Sequence, residues 1–430
     1  MPFLTTKYHL KIKGKQKRLL DLLCHISKNI YNASLYEIRQ QYFKEECICD
    51  YYSLNNIMSI NENYHILNTY MSICTIRNAH VNMMKFINNK AKLPKYLSKN
   101  EYYPLITDQI RIIERNKKKV IKLPISNIIR TNKVFNTKYS DELINRFIEE
   151  SRLSKNIDIY LKIPKRIEDK RIRQIRIVSK YKAYYYEVEF TYIDDGEIIQ
   201  TEGKEEMGID IGLNNLATCA TTNNESFIID GKSLKSRNRL YNKKLSYLQN
   251  KNSKKGYTKR MKKLIIHHSN YVKDYINKAV KKLIEKAKSL KVGKIIIGYN
   301  KGFKRKGIKN EAITKKEKRV INQNFVQIPL SKFKERIKQV SKKEGIECIE
   351  INESYTSLAS FYDYDECKYG EIFSGKRVKR GIYLTSEGKE IHADVNAALN
   401  ILNKSNSNNN KMSYLRSRGI TIPKRIQVGL

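Results

Sequence analysis

Residues 4 to 13 alternate between apolar and polar with the period of a half-buried strand. From Gln16 to about Asn89 the spacing becomes that of long amphipathic helices with Leu, Ile, Tyr and Met inward. Between about 119 and 200 short alternating runs return, IDIYLKIPK, QIRIVSK and AYYYEVEFTYI, separated by charged turns. They predict a small β-barrel. The first strand has no partner nearby, so it is expected to pair with this later sheet, which makes the helical module an insertion.

From Glu206 the pattern is α/β. MGIDIGLNNLATCATTNNESFIIDG predicts three short strands joined by Gly/Asn turns, and helices follow from about Lys232 to Leu290. Next come a buried strand KIIIGYN, a basic loop to about Ile321, a helix from about Phe325 to Lys343, a strand ECIEINE and a last helix holding HADVNAALNIL. The segment from Lys404 onward, KSNSNNNKMS, is low in complexity and is expected to be flexible.

Charge narrows the range of partners. Lys and Arg number 85 against 43 Asp and Glu, a net charge of +42 over 430 residues, and a polyanion is the natural counterpart. An AT-rich coding sequence can inflate lysine, but it does not explain the shortage of acids. No segment approaches the roughly 18 uninterrupted apolar residues of a membrane span, and MPFLTTKYHLKIKGK lacks a signal-peptide core, so a cytoplasmic protein without a membrane partner is expected; association with the nucleoid of a prokaryotic host is a separate expectation. The seven cysteines include one close pair, Cys47 and Cys49, and no CxxC, which argues against both a disulfide framework and a zinc ribbon. Tyrosines such as Tyr31, Tyr36, Tyr42, Tyr51, Tyr52, Tyr64 and Tyr70 interleave with basic residues in the helical module, where they either pack the core or stack on bases.

Two acids stand out. Asp210 falls mid-strand in GIDIGLNN, where a buried, unpaired carboxylate is costly and a metal explains it better than packing; its flanking glycines would let a phosphate approach the backbone. Asp394 opens the stretch ADVNAALNIL, either as a helix N-cap or as a second ligand. Carboxylates converging from distant parts of a chain on two divalent ions are the requirement of an RNase H-like (RuvC-like) site, and hard oxygen ligands suit magnesium, or manganese in its place.

GIDIGLNNLAT, NQNFVQIP, GIECIEINESYTS, FSGKRVKRGIY and ADVNAALNIL follow one another in the order expected of the transposon-encoded TnpB (OrfB) family, relatives of the Fanzor proteins and of type V CRISPR effector nucleases, which this chain resembles over about residues 206 to 403. The N-terminal half resembles the family in architecture alone. The resemblance implies an α+β multidomain protein: a wedge β-barrel split between residues 1–14 and 119–205, an inserted helical recognition domain at 15–118, and a RuvC-like nuclease domain at 206–355 and 389–403. A nucleic-acid-binding lobe at 356–388 and a tail at 404–430 complete it. The implied activity is RNA-guided DNA endonuclease, with a guide RNA from the transposon end, a double-stranded DNA target beside a short flanking motif, two Mg²⁺ ions, and a monomer preferred. A nuclease-dead RNA-guided repressor and a transposase in the strict sense are the alternatives.

The chain departs from the family pattern twice. KIIIGYN places Gly298 where the middle strand usually ends in a catalytic Glu; Glu353, at the end of the next strand, is the expected replacement, with Glu350 the competing choice. The resemblance thus implies Asp210, Glu353 and Asp394 as catalytic metal ligands, in an arrangement like that of subfamilies with a rearranged glutamate. The two CxxC pairs of the family's zinc ribbon are also missing: Ser357, Ser360 and Asp363 stand where cysteines are expected and Cys367 is alone, so no zinc is predicted. The segment there carries Lys376, Arg377, Lys379 and Arg380, expected to contact a target or guide backbone. Arg377 and Arg380 could instead clamp the scissile phosphate. His267 and His268 are expected at the surface or on RNA, His392 near the site or in a structural role, and Asp274 is a reserve ligand.

Overall fold

The computed structural model describes residues 3–151, 157–194, 201–252, 256–299, 328–379, 381–405, 409–419 and 422–429. The basic loop expected to end near Ile321, most of NQNFVQIP, the predicted helix start at Phe325, and Arg380 lie outside the described residues. The chain divides into two compact units, Met1–Gly196 and Glu197–Leu430.

In the first unit β1 (Phe3–Leu10) is followed by four helices, α1 (Gly14–Glu45), α2 (Tyr51–Ser59), α3 (Glu62–Ile66) and α4 (Thr69–Ile87). Next come β2 (Leu105–Thr107), β3 (Ile112–Arg115), β4 (Lys118–Lys122), α5 (Asn127–Arg130), α6 (Glu142–Ser151), β5 (Tyr160–Lys162), β6 (Ile172–Lys180) and β7 (Tyr185–Ile193). β1 pairs antiparallel with β7 from Phe3 opposite Ile193 to Leu10 opposite Tyr186. The order in this sheet is β1-β7-β6-β2, and β3, β4 and β5 form a second sheet.

Two expectations need correction here. The helical module stops at Ile87, because β2 joins the first sheet through Leu105 opposite Ile177 and β3 pairs with β4. The region expected to be all strand also contains α6, whose Ile144 and Ile148 recur four residues apart and bury together. The expected barrel is therefore, among the described residues, two sheets with helices between their strands.

The second unit is built on a sheet of order β12-β11-β8-β9-β10-β16. β8 (Glu205–Asp210), β9 (Asn215–Thr221) and β10 (Ser226–Asp230) form an antiparallel meander, and the helices α7 (Lys232–Asn250) and α8 (Lys259–Ser289) lead to β11 (Val292–Gly298). After α9 (Leu330–Lys343), β12 (Glu347–Ile351) pairs parallel with β11, which pairs parallel with β8. A small sheet of β13 (Lys376–Lys379), β14 (Ile382–Leu384) and β15 (Glu390–His392) precedes α10 (Ala393–Ser405).

The tail is not a flexible appendage. α11 (Asn409–Ser417) buries Met412 and Leu415 in the same apolar cluster as Val395, Ala398 and Leu402 of α10. β16 (Lys424–Ile426) adds a parallel edge strand to β10, with Ile228 opposite Arg425. Two buried apolar side chains one helical turn apart outweigh the local Asn/Ser bias that suggested a coil.

α10 lies on β8 and β11 because both strands carry a glycine beneath it. A Cβ on Gly208 would stand 2.3 Å from the Ala398 carbonyl oxygen, and one on Gly298 would stand 2.4 Å from Cδ1 of Ile401. Gly208 is thus a seat for a helix and not a landing place for phosphate, which corrects the sequence-based reason for it. Gly208→Ala is expected to cost about 1–3 kcal/mol by forcing α10 off the sheet. A lower midpoint in thermal or urea unfolding is the readout, and an unchanged midpoint would contradict the close seat.

Candidate active site

Asp210 ends β8 where Met207 and Ile209 turn into the core, and it pairs across to Thr218 of β9. Asp394 occupies the first turn of α10, so the seating of that helix on Gly208 carries its carboxylate to the end of β8. Glu353 follows β12 by two residues, and a Cβ on Gly298 would lie 3.2 Å from the Cβ of Glu353. The replacement acid therefore springs from a point beside the position that lacks one. All three carboxylates line a single pocket of about 540 Å³, together with Asn214, Asn215, Lys232, Tyr355, Arg377 and Arg425.

The electrostatics of this pocket are those of crowded acids. Burial, then the negative charges of Asp394 and Glu353, push Asp210 up to about 8, with Arg377 the one opposing charge. Among the described residues no donor is hydrogen-bonded to its carboxylate. Burial also raises Glu353. Asp394 is better supplied: Nδ2 of Asn215 donates to it at 2.7 Å and Nη2 of Arg377 lies 3.4 Å away. Its bonds run to other elements, so it links β9, β13 and α10 instead of only capping its own helix.

Three like charges repel, and among the described residues no three His, Cys, Asp or Glu side chains are arranged as a ready-made metal cage. The donor set nonetheless fits hard divalent cations, being all carboxylate oxygen, partly desolvated, and short of positive charge at Asp210.

The other candidates separate cleanly. Glu350 accepts from Nζ of Lys334 at 2.8 Å and also pairs with Lys338, both on α9, so it is engaged in a structural ion pair away from the pocket. Of the basic cluster, Arg377 enters the pocket, while Lys376 and Lys379 are exposed on β13. His268 stacks on Tyr241 at 3.7 Å and hydrogen-bonds Asn238, His267 meets Arg237, and Asp274 pairs with Lys278 on its own helix; none of them lines the pocket. His392 is partly buried, with Nδ1 unpartnered, and it too lies outside the pocket lining.

Several residues that position the site escape the sequence reading. Asn396 donates to the Ala359 carbonyl at 2.7 Å and accepts from the Phe361 amide at 3.0 Å, and Asn400 donates to the carbonyls of Thr356 and Ala359. These two buried amides, one turn apart on α10, tie the loop after Glu353 to the helix bearing Asp394. A polar residue at an inward helical position is the available signal. Arg425, from the supposed tail, reaches the pocket wall and donates to Asp230 at 2.7 Å.

Comparison with known proteins follows the same map. The family model OrfB_IS605, described as "Probable transposase", matches residues 184–304. The TNB domain of Cas12f1-like proteins matches residues 331–401, which contain Glu353, the small sheet and Asp394. Over those two segments the chain is similar to both families. Among solved structures, the Cas12f1–sgRNA–target DNA complex aligns with a TM-score of 0.61 at 16% identity, covering 92% of this chain and 83% of that one. At that identity the likeness speaks for the fold alone, a mixed α+β multidomain architecture. The mini-RNA-guided endonuclease CRISPR-Cas_phi3 aligns at 12% identity with a TM-score of 0.48, covering 93% of this chain and 92% of that one. No curated protein matches the sequence. No described helix is long and apolar enough to cross a membrane.

The raised Asp210 makes a pH prediction. Between the ordinary carboxylate value of 3.8 and about 8 the folded chain holds a proton that the unfolded chain has lost, so stability falls as pH rises through that window. Asp210→Asn removes the liability. In metal-free buffer its melting temperature should match the parent near pH 4 and exceed it by several degrees, about 5 °C, at pH 8. A gap independent of pH would contradict the assignment.

Proposed function

We propose that this protein is an RNA-guided DNA endonuclease in which Asp210, Glu353 and Asp394 hold divalent metal for phosphodiester hydrolysis. The observation that carries the reading is the meeting of three carboxylates from β8, the loop after β12 and the start of α10 in one pocket rimmed by Arg377, Lys232 and Arg425. When bound, the metal supplies an activated water and charge stabilisation at the phosphoryl and leaving oxygens. The chain's own part is orientation. Asn215 holds Asp394 through one oxygen, the Asn396 and Asn400 amides hold the loop bearing Glu353, and the cationic rim draws the phosphate backbone inward.

The net charge of +42 supports nucleic acid as substrate and partner. The aligned Cas12f1 structure is by its title a complex with sgRNA and target DNA, which supports a guide RNA and a DNA target for this chain. Strand choice would then rest on pairing with the guide.

Two measurements test this. The full chain, co-expressed with its flanking DNA, is expected to purify with a defined RNA and to linearise a matched plasmid in Mg²⁺. Glu353→Gln should reduce cutting by at least ~100-fold while leaving target binding intact, whereas Glu350→Gln, whose loss touches a partly exposed ion pair, should change cutting less than about twofold. Binding without cleavage by the parent would make it a guided repressor; strand joining without RNA would make it a transposase. Reversed effects of the two glutamine variants would refute the choice of ligand.

A further inference from the structure

The C-terminal strand carries a cation into the acidic pocket whose task the three carboxylates do not explain. β16 lies outside both matched segments, yet it is firmly seated: Ile426 packs on the apolar cluster that holds Val280 and Leu283 of α8, Val428 is buried in the same cluster, and Nζ of Lys282 donates to the Gln427 carbonyl at 2.7 Å. Its Arg425 stands opposite Ile228 of β10. Side chains alternate along a strand, so Arg425, next to Ile426, turns away from that cluster and toward the face on which α10 packs. There it lines the pocket.

Asp230, the last residue of β10, aims it. This acid is buried and would be costly without partners. Its Oδ1 accepts from Nη1 of Arg425 at 2.7 Å, its Oδ2 from the Lys232 amide at 3.0 Å, and its carbonyl from the Tyr275 hydroxyl at 2.7 Å. The carboxylate is thus fixed at the wall, and it fixes the guanidinium in turn. A guanidinium is a planar fork of several N–H donors, so a bond through Nη1 sets its direction and leaves other donors for a ligand. At 34% exposure the side chain is open to one.

The sheet sets the spacing. β8, β10 and β16 run in the same direction, so Asp210, Asp230 and Arg425 gather at one edge. From β8 to β16 is three strand spacings, about 14 Å at the backbone. The arginine side chain, drawn toward Asp230 on the strand between, shortens this to a gap that the sugar of a nucleotide can bridge.

We infer that Arg425 binds the backbone phosphate next to the one held at the metal-binding carboxylates, and that Asp230 is the positioning residue that aims it. The inference rests on the proposed metal site for the first phosphate, while the second is held by this chain's own fork of donors. An acidic pocket repels a polyanion, and a fixed arginine at its far wall supplies the attraction where metal does not reach.

The test compares two small probes on the full chain in Mg²⁺, thymidine 5′-monophosphate and thymidine 3′,5′-bisphosphate, by calorimetry. In the parent the second phosphate should improve binding by about tenfold. Arg425→Ala should reduce that ratio to about one and leave the monophosphate unaffected, and Arg425→Lys, which keeps the charge without the fork, should keep part of it. Asp230→Asn discriminates aiming from charge. Removing an acid would by charge alone raise the ratio, whereas loss of aim lowers it. A ratio that survives Arg425→Ala, or equal weakening of both probes, would overturn the role of Arg425, and a ratio raised by Asp230→Asn would overturn that of Asp230. Asp210→Asn should weaken both probes and preserve the ratio; if it weakens neither, the metal site fails and the arginine is judged separately by its own ratio.

Discussion

The second unit depends on one contact: α10 pressed onto β8 and β11, its Ala398 carbonyl bearing directly on Gly208 and its Ile401 side chain on Gly298. Side chains on both sides normally set the distance between a helix and a sheet, and the lack of one at Gly208 lets the backbone of α10 approach to the point where a methyl group would collide. That approach sets the height of Asp394 above Asp210. It also explains why position 298 accepts no side chain easily, since Ile401 and the Cβ of Glu353 already fill the space. The glycine at the end of β11 and the glutamate after β12 are two parts of one arrangement.

The second constraint is charge. A carboxyl pushed to about 8 by burial and by two neighbouring acids is a destabilising element retained at the end of a central strand, which is the pattern of a site and not of a core. The surrounding residues distribute the tension. Asn215 and Arg377 satisfy Asp394, Lys334 and Lys338 satisfy Glu350, and among the described residues Asp210 has no donor of its own. Arg377 belongs to the small sheet, Asp210 to the large one and Asp394 to α10, so the partly exposed Arg377–Asp394 ion pair ties the small sheet to the pocket.

How much of this is legible in the sequence follows from what each feature needs. Asp210 stands out because a buried, unpaired carboxylate is costly in an apolar strand, and Asp394 because it opens a stretch of helix-spaced small residues. Glu353 requires topology: only the parallel pairing of β11 with β12, Gly298 opposite Ile351, brings it beside the site. The long pairing of β1 with β7 follows from a strand left without a local partner. Other features depend on tertiary contacts that no local pattern encodes. Asn396 and Asn400 read as ordinary helix residues until the loop at Thr356 to Phe361 supplies the backbone groups they bond. The segment after Lys404 reads as coil because Asn and Ser outnumber its apolar residues, yet Met412 and Leu415 find a waiting cluster and Arg425 a waiting aspartate. Arg377 is visible as a charge, but its turn toward Asp394 belongs to the strand pairing of the small sheet.

The central claim is that Asp210, Glu353 and Asp394 act as one set of ligands. Titration of the full chain with Mn²⁺, followed by electron paramagnetic resonance of the free ion, measures this without reference to cutting. Tight binding in the parent that is lost on neutralising any one of the three, and kept when Glu350 is neutralised, is the result the account predicts. Binding that survives the loss of Glu353 would contradict it.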